Sequence, residues 1–385
     1  MRAYDYRMNW TVRPMSLVVG GVVPPENVVG RVREEQEILS SLANGGAALV
    51  GDRRHGKTSL ARLVAHTARQ QGLTVVSVSA ERQTYAEFVT ALAGELGRID
   101  NALRQEVERW KVAFGTGPVR FERAQAGAAL DDLLQRAVAR ARSGPLVLFI
   151  DEVTVLARNL ERERAGGGDA FLHLLRRFRQ DNTGRLATVL SGSIGFHHVS
   201  GDALSSVNDI RKVTVGPIRH DHATYLAECL MLGARVDGTD AHLVAESIAA
   251  TAENVPYYIQ HLVAASARTG GPVSPGDIPA LLRAAVTDPH DPWDLRHYRD
   301  RLRNYYGDDA AAIANLLDIY AHATGPLDVD TVAHLLRSEG STIGDRDQLV
   351  SFIERLEQDH YLRRVGDEDC FASGLVQSAW LAMRR

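Results

Sequence analysis

Five short apolar runs between residues 47 and 215 constrain this chain more than any other feature. Ala47–Val50, Thr74–Ala80, Leu146–Asp151, Leu186–Gly192 and Lys212–Val215 are dominated by Val, Leu and Ile, with little polar alternation. Half-exposed strands alternate polar and apolar residues, so continuous runs indicate strands buried on both faces of a parallel sheet. Parallel neighbours need long crossovers. Helix-length stretches supply them at Thr58–Gln71, Tyr85–Leu96, Gly127–Arg142 and Asp169–Asp181. The alternation predicts an α/β fold, an open parallel sheet with helices on both faces.

After Pro217 such runs stop. His220–Arg235, Ala241–Ala252, Pro256–Thr269 and Asp277–Val286 read as a small helical lid, and Pro/Asp-rich Thr287–Trp293 as a linker reaching to about residue 307. Asp308–Ala323, Val329–Arg337 and Arg346–His360 read as three helices. Tyr361–Val365, a Gly366–Asp369 turn and Cys370–Ala372 then read as a hairpin, which together predict a winged-helix domain. The expected division is an N-terminal extension over 1–24, a sheet domain over 25–217, a lid over 218–290 and a winged helix over 291–385. Ala165–Gly168 is expected to be a mobile Gly-rich loop.

One motif assigns chemistry to the sheet. Gly51-Asp52-Arg53-Arg54-His55-Gly56-Lys57-Thr58 matches GxxxxGK[ST] between a predicted strand and a predicted helix, with Ser59 next in the helix. Glycines let backbone N–H groups wrap a phosphate chain, and the helix N-terminus adds partial positive charge. Lys57 is placed to reach β- and γ-phosphates and the Thr58 hydroxyl to ligate Mg²⁺. At this chain's residue frequencies about 0.002 chance matches are expected. The 44 basic residues include only three lysines, Lys57, Lys111 and Lys212, so a lysine at this point is informative.

The run Leu146–Ile150 ends in Asp151-Glu152. Carboxylates at the C-terminal end of a parallel strand face the ligand crevice. Asp151 suits Mg²⁺, and Glu152 suits a general base that polarises water. One strand, Thr74–Ala80, lies between the phosphate-loop strand and this one.

That order, with the adjacent glutamate, resembles the additional-strand, catalytic-glutamate division of P-loop ATPases, which includes the AAA+ and STAND groups. Val28-Val29-Gly30-Arg31-Val32-Arg33-Glu34 followed by GDRRHGKTSL is similar to the hhGRxxE…GxRRxGKTSL signature of archaeal-type STAND-like ATPases related to origin-recognition AAA+ proteins. The resemblance implies that Val29, Gly30 and Arg31 pack near an adenine, and that Ser191 or Ser193 senses a γ-phosphate. Asn254-Val255-Pro256-Tyr257-Tyr258 resembles the family's GNPYY lid motif, which implies that Pro256 meets the nucleotide, although Glu253 replaces the usual glycine. An arginine finger is implied at Arg211, with Arg179 and Arg185 as alternatives.

Composition excludes other classes. A 45% hydrophobic content with net charge −4 excludes disorder and offers no basic excess for nucleic acid or a membrane surface. Two cysteines, Cys229 and Cys370, cannot build a disulfide framework or a zinc site, which points to a reducing cytoplasm. The 14 histidines, His197, His198, His220 and His222 among them, lack zinc-site spacing. No apolar run approaches the ~20 residues that span a bilayer, and MRAYDYRMNWTVRP has no apolar core of a signal peptide.

Charge is uneven. Residues 309–385 carry 7 Arg against 13 Asp and Glu, leaving −6 there and +2 elsewhere. The predicted third helix carries Asp345, Asp347, Glu354, Glu357 and Asp359, and the wing tip is Gly366-Asp367-Glu368-Asp369, which disfavours DNA phosphates. Arg176, Arg177, Arg179 and Arg185 read as a solvated helix face. The sequence therefore predicts an ATP/ADP- and Mg²⁺-binding ATPase switch that hydrolyses slowly and reports to a protein partner or to further copies of itself. The alternatives are a DNA-handling AAA+ ATPase and a scaffold with structural nucleotide.

Overall fold

Each apolar run forms a strand close to its expected bounds: β1 (Gly46–Val50), β2 (Val75–Ser79), β3 (Leu146–Asp151), β4 (Leu186–Ser191) and β5 (Arg211–Thr214). They make one sheet in the order β2-β3-β4-β1-β5, with every neighbouring pair parallel. The structure is a computed structural model. It describes residues 10–81, 84–99, 101–102, 104–105, 123–141, 144–199, 205–338, 340, 343 and 345–384.

Two-sided burial holds. Leu146, Leu148 and Ile150 of β3 face one apolar cluster with α3 (Tyr85–Leu96), α5 (Val153–Glu163) and α6 (Gly167–Asp181), and α4 (Arg123–Arg140) contributes Leu133 and Leu134. Val147 and Phe149 face a second cluster with α1 (Val32–Ser41) and α2 (Lys57–Gln70). Each fully buried Leu or Ile is worth roughly 1.5–3 kcal/mol, so two filled faces hold the strands in register. Gly46 of β1 passes close to Thr188 of β4: its φ is +106°, and a Cβ there would stand 2.0 Å from the Thr188 carbonyl oxygen.

The chain divides into two compact units, 22–215 around this sheet and a second made of residues up to 21 with those from 216 onward. The second unit contains α7 (His220–Ala234), α8 (Ala241–Thr251), α9 (Pro256–Ala267), α10 (Ile278–Thr287), α11 (His297–Tyr306), α12 (Ala310–His322), α13 (Val329–Ser338) and α14 (Arg346–Gln358). The antiparallel hairpin β6 (Leu362–Val365) and β7 (Glu368–Phe371) and α15 (Gly374–Met383) follow. Helix α15 packs on α10, α11 and α12, so the expected lid and winged-helix regions share one unit.

Several expectations are corrected. Helices α1, α5, α11 and α15 lie outside the expected elements, and α11 occupies the C-terminal part of the expected linker. Its sequence HYRDRLRNYY is polar, yet Tyr298, Arg301 and Leu302 are buried, with Arg301 stacked 4.7 Å over the Tyr298 ring and donating to Tyr361 Oη at 2.7 Å. Residues 165–168 are pinned, since the Glu161 carboxylate accepts Gly166 N–H at 2.8 Å and Gly168 N–H at 3.0 Å. Val365 pairs with Glu368, which shortens the hairpin turn to Gly366-Asp367 and places Asp369 inside the strand, buried. Asp359 is also buried, accepting the Tyr306 hydroxyl, so two of the expected surface carboxylates are interior. The expected solvated arginine face fails at Arg179, which is buried and ion-paired with Asp209 at 2.8 Å.

Gly46→Ala is expected to cost about 2–4 kcal/mol from the positive φ and the carbonyl overlap together. Gly72→Ala, at φ +83° with open space around it, should cost only about 1 kcal/mol. Thermal unfolding of the two variants checks the difference.

Candidate functional site

The phosphate loop leaves β1 at Gly51, whose φ is +143° and whose Cβ would stand 2.2 Å from the Val215 carbonyl oxygen. Arg54 at φ 75° and Gly56 at φ 89° take the left-handed conformations that turn the loop into α2. Asp52 is buried and closes the turn by accepting Arg53 N–H at 2.7 Å. Lys57 is buried at the loop's centre, its Nζ donating to the carbonyls of Gly51 at 2.8 Å and Asp52 at 2.9 Å. Thr58 and Ser59 follow, half-buried, in the first turn of α2.

Arg31 braces this loop from outside. Val29 leads into Gly30 at φ 74°, which directs the chain so that Arg31 is 3% exposed. Its Nη2 donates to the His55 carbonyl at 2.7 Å and its Nη1 to Glu34 at 2.8 Å. Burial lowers the guanidinium pKa, with Glu34 opposing.

The second half of the site is built on β3 and β4. Their register pairs Ile150 with Leu190 and so sets Asp151 beside Ser191. Thr58 Oγ1 donates to Asp151 Oδ2 at 2.8 Å, and Ser191 Oγ donates to Asp151 Oδ1 at 2.5 Å. Glu152 sits at φ 57° at the start of α5, and its Oε2 accepts both Ser193 N–H at 2.8 Å and Ser193 Oγ–H at 2.7 Å. Gly192 allows this turn, since a Cβ there would stand 2.0 Å from Thr154 Oγ1. The two serines, alternatives from sequence, thus serve different carboxylates.

A cavity of about 170 Å³ opens beside Asp151, lined by Thr58, Arg62, Ser77, Ser79 and Ser191 among others. Sequence reasoning missed Arg62, although its place four residues after Thr58 sets both on one face of α2. The Thr58 hydroxyl and the Asp151 carboxylate form an all-oxygen donor pair, which suits a hard dication such as Mg²⁺.

Other expected residues lie elsewhere. Arg211 begins β5 beside Ala47, at the end of the sheet away from the phosphate loop, and pairs with Glu37 at 2.7 Å. The parallel register separates it from its own chain's loop by the length of the strand, so it is not part of this site. Arg185 reaches toward the Val138 carbonyl at 3.5 Å. Pro256 opens α9 in the helical unit. Glu253 there stands at φ 51°, a conformation glycine adopts without strain, and its carboxylate accepts Leu375 N–H at 2.8 Å at the start of α15.

Residues 27–193 match the family described as AAA ATPase domain, which supports nucleotide binding. Among solved structures the chain is similar to a Walker-type ATPase of Pyrococcus abyssi, with 16% identity, coverage of 96% of this chain and 99% of that one, and a TM-score of 0.65. It is also similar to the ORC2 protein of Aeropyrum pernix in its ADPNP–ADP complexes, with 12% identity, coverage of 91% and 92%, and a TM-score of 0.50. No curated protein matches it in sequence. The sheet is that of P-loop NTPases. Among the described residues no helix is long and apolar enough to cross a membrane.

Arg31→Met removes a charged hydrogen bond worth about 1.5–3 kcal/mol from a loop carbonyl. The Kd for ADP, measured by calorimetry, is expected to rise about tenfold or more. An unchanged Kd would show that the loop holds its shape without the brace.

Proposed function

We propose that this chain, whose residues 27–193 match an AAA ATPase domain, is an Mg²⁺-dependent, ATP-hydrolysing switch of the STAND/AAA+ kind. One observation carries the reading: the hydroxyls of Thr58 and Ser191 converge on Asp151, with Glu152 next to it at the mouth of the phosphate loop. Backbone N–H groups of Gly51–Thr58 bind the phosphates, and Lys57 exchanges two loop carbonyls for phosphate oxygens. Thr58 and Asp151 would hold Mg²⁺, which would neutralise charge on the phosphate oxygens. Glu152 accepts the proton of the attacking water. Its carboxylate is engaged by Ser193, so release from that serine precedes catalysis, and this supports slow, regulated turnover.

We assign residues 218–290 to a lid and 291–385 to a winged helix that reports the nucleotide state to a protein partner. With Asp359 and Asp369 interior, the exposed acids of this region include Asp347, Glu354, Asp367 and Glu368. That surface still disfavours DNA phosphates. Arg211, remote from its own chain's loop and largely exposed, fits an arginine finger only toward a neighbouring copy.

Lys57→Ala is expected to abolish ATP binding in calorimetry. Glu152→Gln should retain ATP binding while phosphate release falls about 100-fold or more. Full turnover by Glu152→Gln would remove the glutamate from its assigned role, and normal ATP binding without phosphate release in the unaltered protein would favour a structural nucleotide.

A further inference from the structure

His55 bonds Arg31, downstream of one crossing between the sheet unit and the helical unit, and Val215, at the other. Its carbonyl accepts Arg31 Nη2 at 2.7 Å, and its ring Nδ1–H donates to the Val215 carbonyl at 3.2 Å. The chain passes between the units at Gly21–Val22, upstream of Arg31, and again at Val215–Gly216. The second segment is clamped to the loop, since Val215 N–H donates to the Val50 carbonyl at 2.7 Å. Its own carbonyl also lies where Gly51 can carry no Cβ.

The first segment is anchored at its far end. Residues 10–18 lie along α7 and α9 within the helical unit. The Trp10 ring packs, tilted, 4.6 Å from His222 and 4.9 Å from Tyr225. Met15 is buried and donates its N–H to the Cys229 carbonyl at 3.0 Å, and Val18 N–H donates to Gln260 Oε1 at 2.7 Å. Gly233 permits this seam, because a Cβ there would stand 1.9 Å from the Met15 carbonyl oxygen. Such close backbone packing makes the segment an integral part of the helical unit.

We infer that His55 is a positioning residue that passes the state of the phosphate loop to both crossings, and that residues 10–18 are a strap which makes the first crossing move with α7 and α9. The inference rests on the proposed nucleotide binding for its trigger. Phosphates that draw in the loop N–H groups shift the His55 backbone, and Arg31 and Val215 follow because each is bonded to it. A packed contact of this kind has discrete arrangements and transmits small shifts.

Hydrogen exchange of the full chain with and without ADP, alongside calorimetry, is the test. ADP is expected to slow exchange in α7 and α9 about threefold or more in the unaltered protein. Met15→Asp, or the milder Trp10→Ala, should lose that response while ADP still binds, and should raise ligand-free exchange in α7. His55→Ala, which keeps the backbone bond to Arg31 but loses the ring bond to Val215, should diminish the response, whereas His55→Gln, whose amide can still donate to the Val215 carbonyl, should keep it. An undiminished response in His55→Ala and Met15→Asp overturns the inference, as does ADP binding with no change in α7 or α9 of the unaltered protein. Absence of ADP binding in the unaltered protein refutes the functional reading instead. Ligand-free exchange of α7 then still judges the strap, which is refuted if Met15→Asp leaves it unchanged.

Discussion

The carboxylate of Asp151 is the point through which the site is assembled. Its main chain accepts Ala80 N–H from the end of β2 at 2.8 Å, while its side chain accepts Ser191 from β4 and Thr58 from α2. Four elements, α2, β2, β3 and β4, therefore meet at one residue. Hydrogen bonds to a charged group contribute about 1.5–3 kcal/mol each, and a buried hydroxyl without its acceptor is costly. Alignment of β3 with β4 and β2 is thus the condition for everything else, because a slip of one residue would turn Asp151 into the core.

From that condition the roles of the remaining polar groups follow. Thr58 can reach Asp151 only because α2 starts at Lys57, and α2 starts there because Gly56 takes a left-handed turn. Glu152, at positive φ, is turned away from the strand and onto Ser193. The chain thus keeps the Asp151 and Glu152 carboxylates on separate serines of one short turn. Gly192 between them makes the turn narrow enough for both contacts.

The sheet and the loop were legible in the sequence because their signals are local. Continuous Val/Leu/Ile runs report burial on both faces, and GxxxxGK[ST] reports a backbone conformation. Helices α5 and α15 were not legible. Val153-Thr154-Val155 continues the β-branched character of the preceding strand, and α15 opens on a glycine. Helix α11 is rich in polar residues and is held by a buried arginine that lies over the rings of two tyrosines, one of them distant in sequence, an arrangement that no periodicity encodes. The charge count was right in total and wrong in place, since Asp359 and Asp369 are buried among helices whose packing composition cannot reveal.

By itself the sequence determined that the chain folds around a parallel sheet with a phosphate loop at one strand's end and a pair of carboxylates at another's. Those features depend on residue type and spacing along a single segment. Only the tertiary structure decided which hydroxyl serves which carboxylate, that Arg31 braces the loop, that Arg211 lies at the far end of its strand, and that residues 10–18 belong with the helical unit. Each of these depends on strand order, register and close backbone approach. Those are properties of segments meeting in space, and only the shared packing of the folded chain specifies them.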